Sequence, residues 1–162
     1  MLELIRQGKH RHVPFIIGTN ADETSRMVPR VMTAMAFEEA VRFQYGTVAG
    51  NRALTTDATW TCPARTIARA VAANQSEPVF RYFFTWKPAG PAGALVGATH
   101  GLDVPFVFRS FDALLAATGA PNGSGAVAWP VGGDAALELN NVVMAVPSVR
   151  AADCDFLDTL VP

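Results

Sequence analysis

The chain has 162 residues, enough for one compact domain and short for two. Half are hydrophobic and only 17% are charged, well under the roughly 25% of an ordinary soluble domain, so part of the surface is expected to face more protein. With 13 basic and 14 acidic residues the net charge is −1, which excludes a field for gripping phosphate backbones and argues against a nucleic-acid partner; so apolar a chain is not disordered either.

No membrane partner is expected. The longest uncharged run, residues 113–133, contains Pro121, Pro130 and five glycines, which cannot make a spanning helix. Arg6, Lys9 and Arg11 interrupt any apolar signal core at the start, so export is not encoded in these residues. Residues 12–18, His-Val-Pro-Phe-Ile-Ile-Gly, predict a buried strand closed by Gly18 and running into a loop. Thr33 as N-cap, Phe37, Val41 and Tyr45 at four-residue spacing, and Gly46 as a stop predict a helix over 33–45. Pro63 in a first turn and a stripe of Ile67, Ala68, Val71 and Ala72, with Arg65 and Arg69 off it, predict a helix over 63–74.

Residues 78–86 are aromatic and β-branched, with only Arg81 charged, and predict a strand covered on both faces. Residues 87–97, rich in Pro, Gly and Ala, predict a loop that delivers His100 and then the apolar run Val104 to Phe108. Farther on, 137–139 and 142–146 predict two short strands, and the tail runs through Asp153-Cys-Asp-Phe-Leu-Asp158. Buried strands separated by helices predict an α/β fold with a mostly parallel sheet and flanking helices. So few strands would leave edges and faces bare, so the chain reads as part of something larger.

Two loops stand out because each follows a predicted buried strand, where open α/β sheets place their chemistry. The first, Gly18-Thr-Asn-Ala-Asp-Glu-Thr-Ser25, carries two adjacent carboxylates; the second, Gly97-Ala-Thr-His-Gly101, carries one histidine. An acid that orients an imidazole that takes a proton from a hydroxyl is two-thirds of a serine-hydrolase triad. The plainer reading makes Asp22 and Glu23 a helix N-terminus and His100 a structural hydrogen-bonder.

Val13-Pro-Phe-Ile-Ile-Gly-Thr-Asn-Ala-Asp-Glu23 resembles the "VP-x-x-x-GTN-x-DE" segment of the type B carboxylesterases, a family with the α/β-hydrolase fold that includes cholinesterases and para-nitrobenzyl esterases. Gly97-Ala-Thr-His-Gly-Leu-Asp-Val-Pro-Phe-Val-Phe108 is similar to the family's "GA-x-H-G-x-E-x-P-F-V-F" block. Thr61-Cys-Pro-Ala-Arg65, Glu77-Pro-Val-Phe-Arg-Tyr-Phe-Phe84, Trp129-Pro130 and Cys154-Asp-Phe156 follow in the family's order. The resemblance spans nearly all of this chain but only the C-terminal third of the family domain. It implies that residues 1–162 are the C-terminal portion of an incomplete α/β-hydrolase domain. It further implies that Glu23 is the triad acid, Asp22 is structural and His100 is the general base that passes a proton from serine to the leaving alkoxide. It implies a small-molecule ester substrate for the complete enzyme, and a separate N-terminal esterase fragment as a partner. No cofactor and no metal are expected.

Three departures from the family matter. No G-x-S-x-G occurs, and Ser124 in Gly123-Ser-Gly125 reads as a loop serine, so the nucleophile elbow and oxyanion loop would lie outside this chain. Phe108 runs almost directly into Ser110, where the family has a longer segment with a tryptophan-bearing helix. Asp103 stands where the family often has Glu, and the shorter side chain is expected to lose a contact near the base.

Cys62 and Cys154 are the two cysteines, and their spacing excludes a C-x-x-C redox or zinc motif. From spacing alone they are either two unrelated buried thiols or a pair. The resemblance implies the pair, a disulfide contributing roughly 2–4 kcal/mol, and with it an oxidising location such as the periplasm or exterior for the parent enzyme. His10 and His12 lie close together without further ligands nearby and read as an exposed basic turn. Two functions remain open. One is the acid- and base-bearing portion of a serine carboxylesterase. The other is a non-catalytic product, either a truncated or decayed piece or a binding module on the same scaffold; lacking serine and oxyanion donors, the isolated chain is expected to be essentially inactive.

Overall fold

The computed structural model describes residues 1–25, 53–107 and 127–160. The helix expected over 33–45, Ser124 and the segment after Phe108 lie outside the described residues. Among the described residues four strands form one sheet in the order β1-β2-β3-β4. β1 (Phe15–Asn20) lies parallel to β2 (Val79–Phe84) along its whole length, from Phe15 opposite Val79 to Asn20 opposite Phe84. β3 (Ala136–Leu139) is parallel to β2, and the short β4 (Met144–Val146) closes that side antiparallel to β3. The sheet is therefore mostly parallel with flanking helices, as the alternation of buried strands and helical stripes predicts.

Side chains alternate across β1 and β2 because successive residues of a strand face opposite ways. On one face Phe15, Ile17 and Val79 pack with Ile5 of α1 (Leu2–Arg6) and Ala68 and Val71 of α2 (Cys62–Ala73). On the other, Phe80 and Phe84 pack with Trp129, Leu137, Leu139, Ala98 and Val107. Gly18, expected to end the strand, lies inside β1, where the Tyr82 ring covers the place a Cβ would take. The strand can therefore run on to Asn20.

α2 starts earlier than the sequence predicts. Residues 53–56 are already helical, and a π-helical turn, Asp57–Thr61, leads into α2. The widened turn lies where Pro63 lacks an N–H and would crowd the carbonyl four residues back. Arg65, expected off the apolar stripe, is 1% exposed; it is buried under α4 (Ala151–Asp158), donating to Asp155 at 2.7 Å and Asp158 at 2.8 Å. α4, unassigned from sequence, is joined to the start of α2 by the Cys62–Cys154 disulfide, with Cα atoms 5.2 Å apart. Asp57 accepts a fork from Arg150, Nη2 at 2.5 Å and Nε at 3.1 Å, beside the same joint.

The predicted loop over 87–97 contains a helix, α3 (Gly90–Val96). Pro91 in its first turn supplies a pre-set φ, and the run Ala94, Leu95, Val96 is unbranched enough at its start to continue it. Arg81 is buried on the α2 face of β2 and donates to the carbonyls of Gly133 and Asp134. Burial pulls its guanidinium below the usual arginine value to about 10, against the opposing pull of Asp134. Among the described residues, no helix is long and apolar enough to cross a membrane.

Candidate active site

β1 and β2 end side by side, Asn20 opposite Phe84, so the chain segments that follow them leave the sheet at the same edge. After β1 the backbone turns through Ala21 to Ser25. After β2 it returns through α3 and Gly97 to a turn at Ala98–Gly101. The two turns are stitched together. The Asp22 N–H donates to the Ala98 carbonyl at 3.1 Å, and the Ala98 N–H donates to Asp22 Oδ2 at 2.9 Å. Gly97 has φ 68°, and a Cβ there would strike the Asp22 carboxylate, so the position needs glycine.

This stitching sets Glu23 against His100. Glu23 Oε2 lies 2.6 Å from His100 Nδ1. The other oxygen, Oε1, accepts from the Asn20 backbone N–H at 2.8 Å. The carboxylate is buried, with 6% of the side chain exposed, whereas the imidazole is 52% exposed. A buried carboxylate on Nδ1 favours one tautomer of the ring, the one with its proton on Nδ1 and a lone pair on Nε2. The Trp60 ring, on the π-helical turn, packs against the imidazole with centroids 4.8 Å apart.

Asp103 makes two hydrogen bonds with its short side chain, neither of them to His100. Its Oδ1 accepts from Asn20 Nδ2 at 3.0 Å and its Oδ2 from the Tyr82 hydroxyl at 2.6 Å. Burial, the bond to Asp103, and the negative charges of Asp103 and Glu23 hold the Tyr82 hydroxyl well above the ordinary phenol value. Asn20, Tyr82 and Trp60 were not singled out by sequence reasoning. Asn20 was visible only as a letter of a motif, and nothing in the order of residues places Trp60 beside a histidine 40 positions on.

His10 and His12 are not at this site; His10 Nε2 lies 3.1 Å from Gln75 Oε1, and the two histidine rings sit 4.9 Å apart. Among the described residues no group of three metal-ligating side chains occurs. A groove of about 1190 Å³ runs between α1, α2 and α4, but neither Glu23 nor His100 lines it. The Glu23–His100 pair lies outside that groove, with its imidazole half-exposed. Such a pair can accept a proton from a hydroxyl brought to Nε2 and return it to a leaving group.

No protein-family model matches the chain, and no curated protein matches it by sequence. Solved structures do share its fold. Two structures of PNB esterase align with TM-scores of 0.73 and 0.71, and a thermophilic PNB esterase with 0.75, each at 20% identity. They cover 96–99% of this chain, which spans only 40–41% of their length. The mixed sheet with its flanking helices thus matches a portion of the α/β-hydrolase fold of those esterases.

Proposed function

We propose that this chain is the C-terminal portion of a type B carboxylesterase domain and supplies the acid and base of its catalytic triad. The observation that carries this reading is the 2.6 Å contact of buried Glu23 with the Nδ1 of a half-exposed His100. In the reaction, Nε2 of His100 takes the proton of a serine hydroxyl outside these 162 residues as the serine oxygen attacks the ester carbonyl carbon. The tetrahedral intermediate collapses, the C–O bond to the alcohol breaks, and the imidazolium gives its proton to the departing alkoxide. Water then repeats the sequence on the acyl-serine. Glu23 stabilises the imidazolium in both halves without itself taking a proton.

The partner of this chain is, on this reading, a serine-bearing esterase segment. Support comes from exposed apolar side chains flanking the histidine turn, Leu95, Val104 and Phe106, which that segment would cover. Co-expression of the chain with such a segment, assayed on a p-nitrophenyl ester, tests the proposal. Hydrolysis that is lost in His100→Ala is expected; no hydrolysis, or hydrolysis unchanged by that substitution, defeats it. The second reading, a non-catalytic binding module, is favoured by the lack of any G-x-S-x-G in the sequence. It predicts a folded chain with no gain of hydrolysis on complementation.

A further inference from the structure

Asn20 bonds Glu23 on one side and, on the other, the turn that carries His100. Its backbone N–H donates to Glu23 Oε1 at 2.8 Å. Its side-chain Nδ2 donates one proton to the carbonyl of Thr99, the residue before His100, at 2.8 Å and the other to Asp103 Oδ1 at 3.0 Å. The residue is 0% exposed. Tyr82, through its 2.6 Å bond to the other oxygen of Asp103, braces the far end of this bridge from β2. We infer that Asn20 is a positioning residue that fixes the histidine turn against the acid and so sets the Glu23–His100 distance. The inference rests on the reading of Glu23 and His100 as acid and base.

Chemistry singles out asparagine here. Two N–H donors on one short neutral arm are needed, one for each side of the turn. Aspartate has the same size but no donors, and would set a carboxylate against the Asp103 carboxylate and the Thr99 carbonyl. Glutamine has the donors one methylene too far out. Alanine leaves the Thr99 carbonyl and Asp103 without their partner in a buried place.

The test begins on the unmodified 162-residue chain. Nitrogen-15 NMR should show the Asn20 side-chain amide as a well-separated pair of protons protected from solvent exchange, identified by its loss in Asn20→Asp. Exchange at the rate of a free amide overturns the inference whatever the variants do. The His100 Nδ1–H bonded to Glu23 should give a slowly exchanging low-field imidazole proton, assigned by its loss in His100→Ala. Asn20→Asp and Asn20→Ala should broaden or abolish that signal while circular dichroism stays native; a wild-type signal in either folded variant overturns the inference. In the complemented esterase the same variants should lower kcat by on the order of 10²-fold with KM unchanged, the cost of a misplaced catalytic group. An unchanged kcat overturns the inference. Absence of any hydrolysis in the unsubstituted complex instead defeats the esterase reading, and leaves the NMR result to judge Asn20 on its own.

Discussion

Reducing the Cys62–Cys154 disulfide should cost this chain a large share of its stability. The bridge joins residues 92 apart in sequence, and the loop-closure entropy that it removes from the unfolded chain corresponds to about 4.6 kcal/mol at 25 °C. Domains of ordinary stability have only about 5–15 kcal/mol in all. The folded state should change little on reduction, because α4 has other ties: Arg65 to Asp155 and Asp158, and Arg150 to Asp57. The loss therefore falls mainly on the unfolded side. Both sulfurs are buried, so reductant must be present during unfolding rather than added to folded protein. Urea titrations of the oxidised chain and of the chain refolded in reductant measure the difference. We expect a drop of about 3–5 kcal/mol, with a steeper denaturant dependence because the open unfolded chain exposes more surface. A drop below about 1 kcal/mol with an unchanged slope would refute the reasoning, and would place the bridge between segments that stay close even when unfolded.

Three further outcomes follow from the geometry. Gly97→Ala should destabilise by about 1–3 kcal/mol in urea, since φ of 68° is costly for alanine and its methyl would displace the Asp22 carboxylate from the histidine turn. Asp57→Ala should cost about 2–3 kcal/mol by the same measurement, less than the 3–5 of a fully buried pair because Arg150 is 36% exposed. Alkaline pH should reveal Tyr82: above its ordinary value of 10.0 the unfolded chain releases the phenol proton while the folded chain keeps it. The stabilisation that Tyr82 gives is full below pH 10 and is lost as pH rises, at up to about 1.4 kcal/mol per pH unit, so urea midpoints should fall on that limb less steeply in Tyr82→Phe.

Much of the sheet was legible because its strands are buried on two faces and leave runs that are nearly all apolar, as at Val79 to Phe84 with Arg81 its one charge. Boundaries were less so. Gly18 suggested an end of strand because sequence does not show that Tyr82 lies across it, and the Pro- and Gly-rich stretch after Trp86 hid α3 because its helix begins at those very residues. Arg65 looked like a solvent-facing charge; only the approach of α4, tied to the start of α2 by the Cys62–Cys154 bridge, makes it a buried one. The loops bearing Glu23 and His100 were visible as motifs, and their juxtaposition depended on a parallel pairing that periodicity cannot express. Asn20 escaped notice for the same reason, since its partners lie 79 and 83 residues on.

The central claim is that Glu23 and His100 act as one unit on a serine supplied from outside these residues. In the complemented esterase, Glu23→Gln, His100→Ala and the double variant should be compared for kcat on a p-nitrophenyl ester. Glu23→Gln should lower kcat by on the order of 10⁴-fold and His100→Ala by on the order of 10⁶-fold, and the double variant should be no slower than His100→Ala. A Glu23→Gln loss under about tenfold, or losses that multiply in the double variant, would contradict the account.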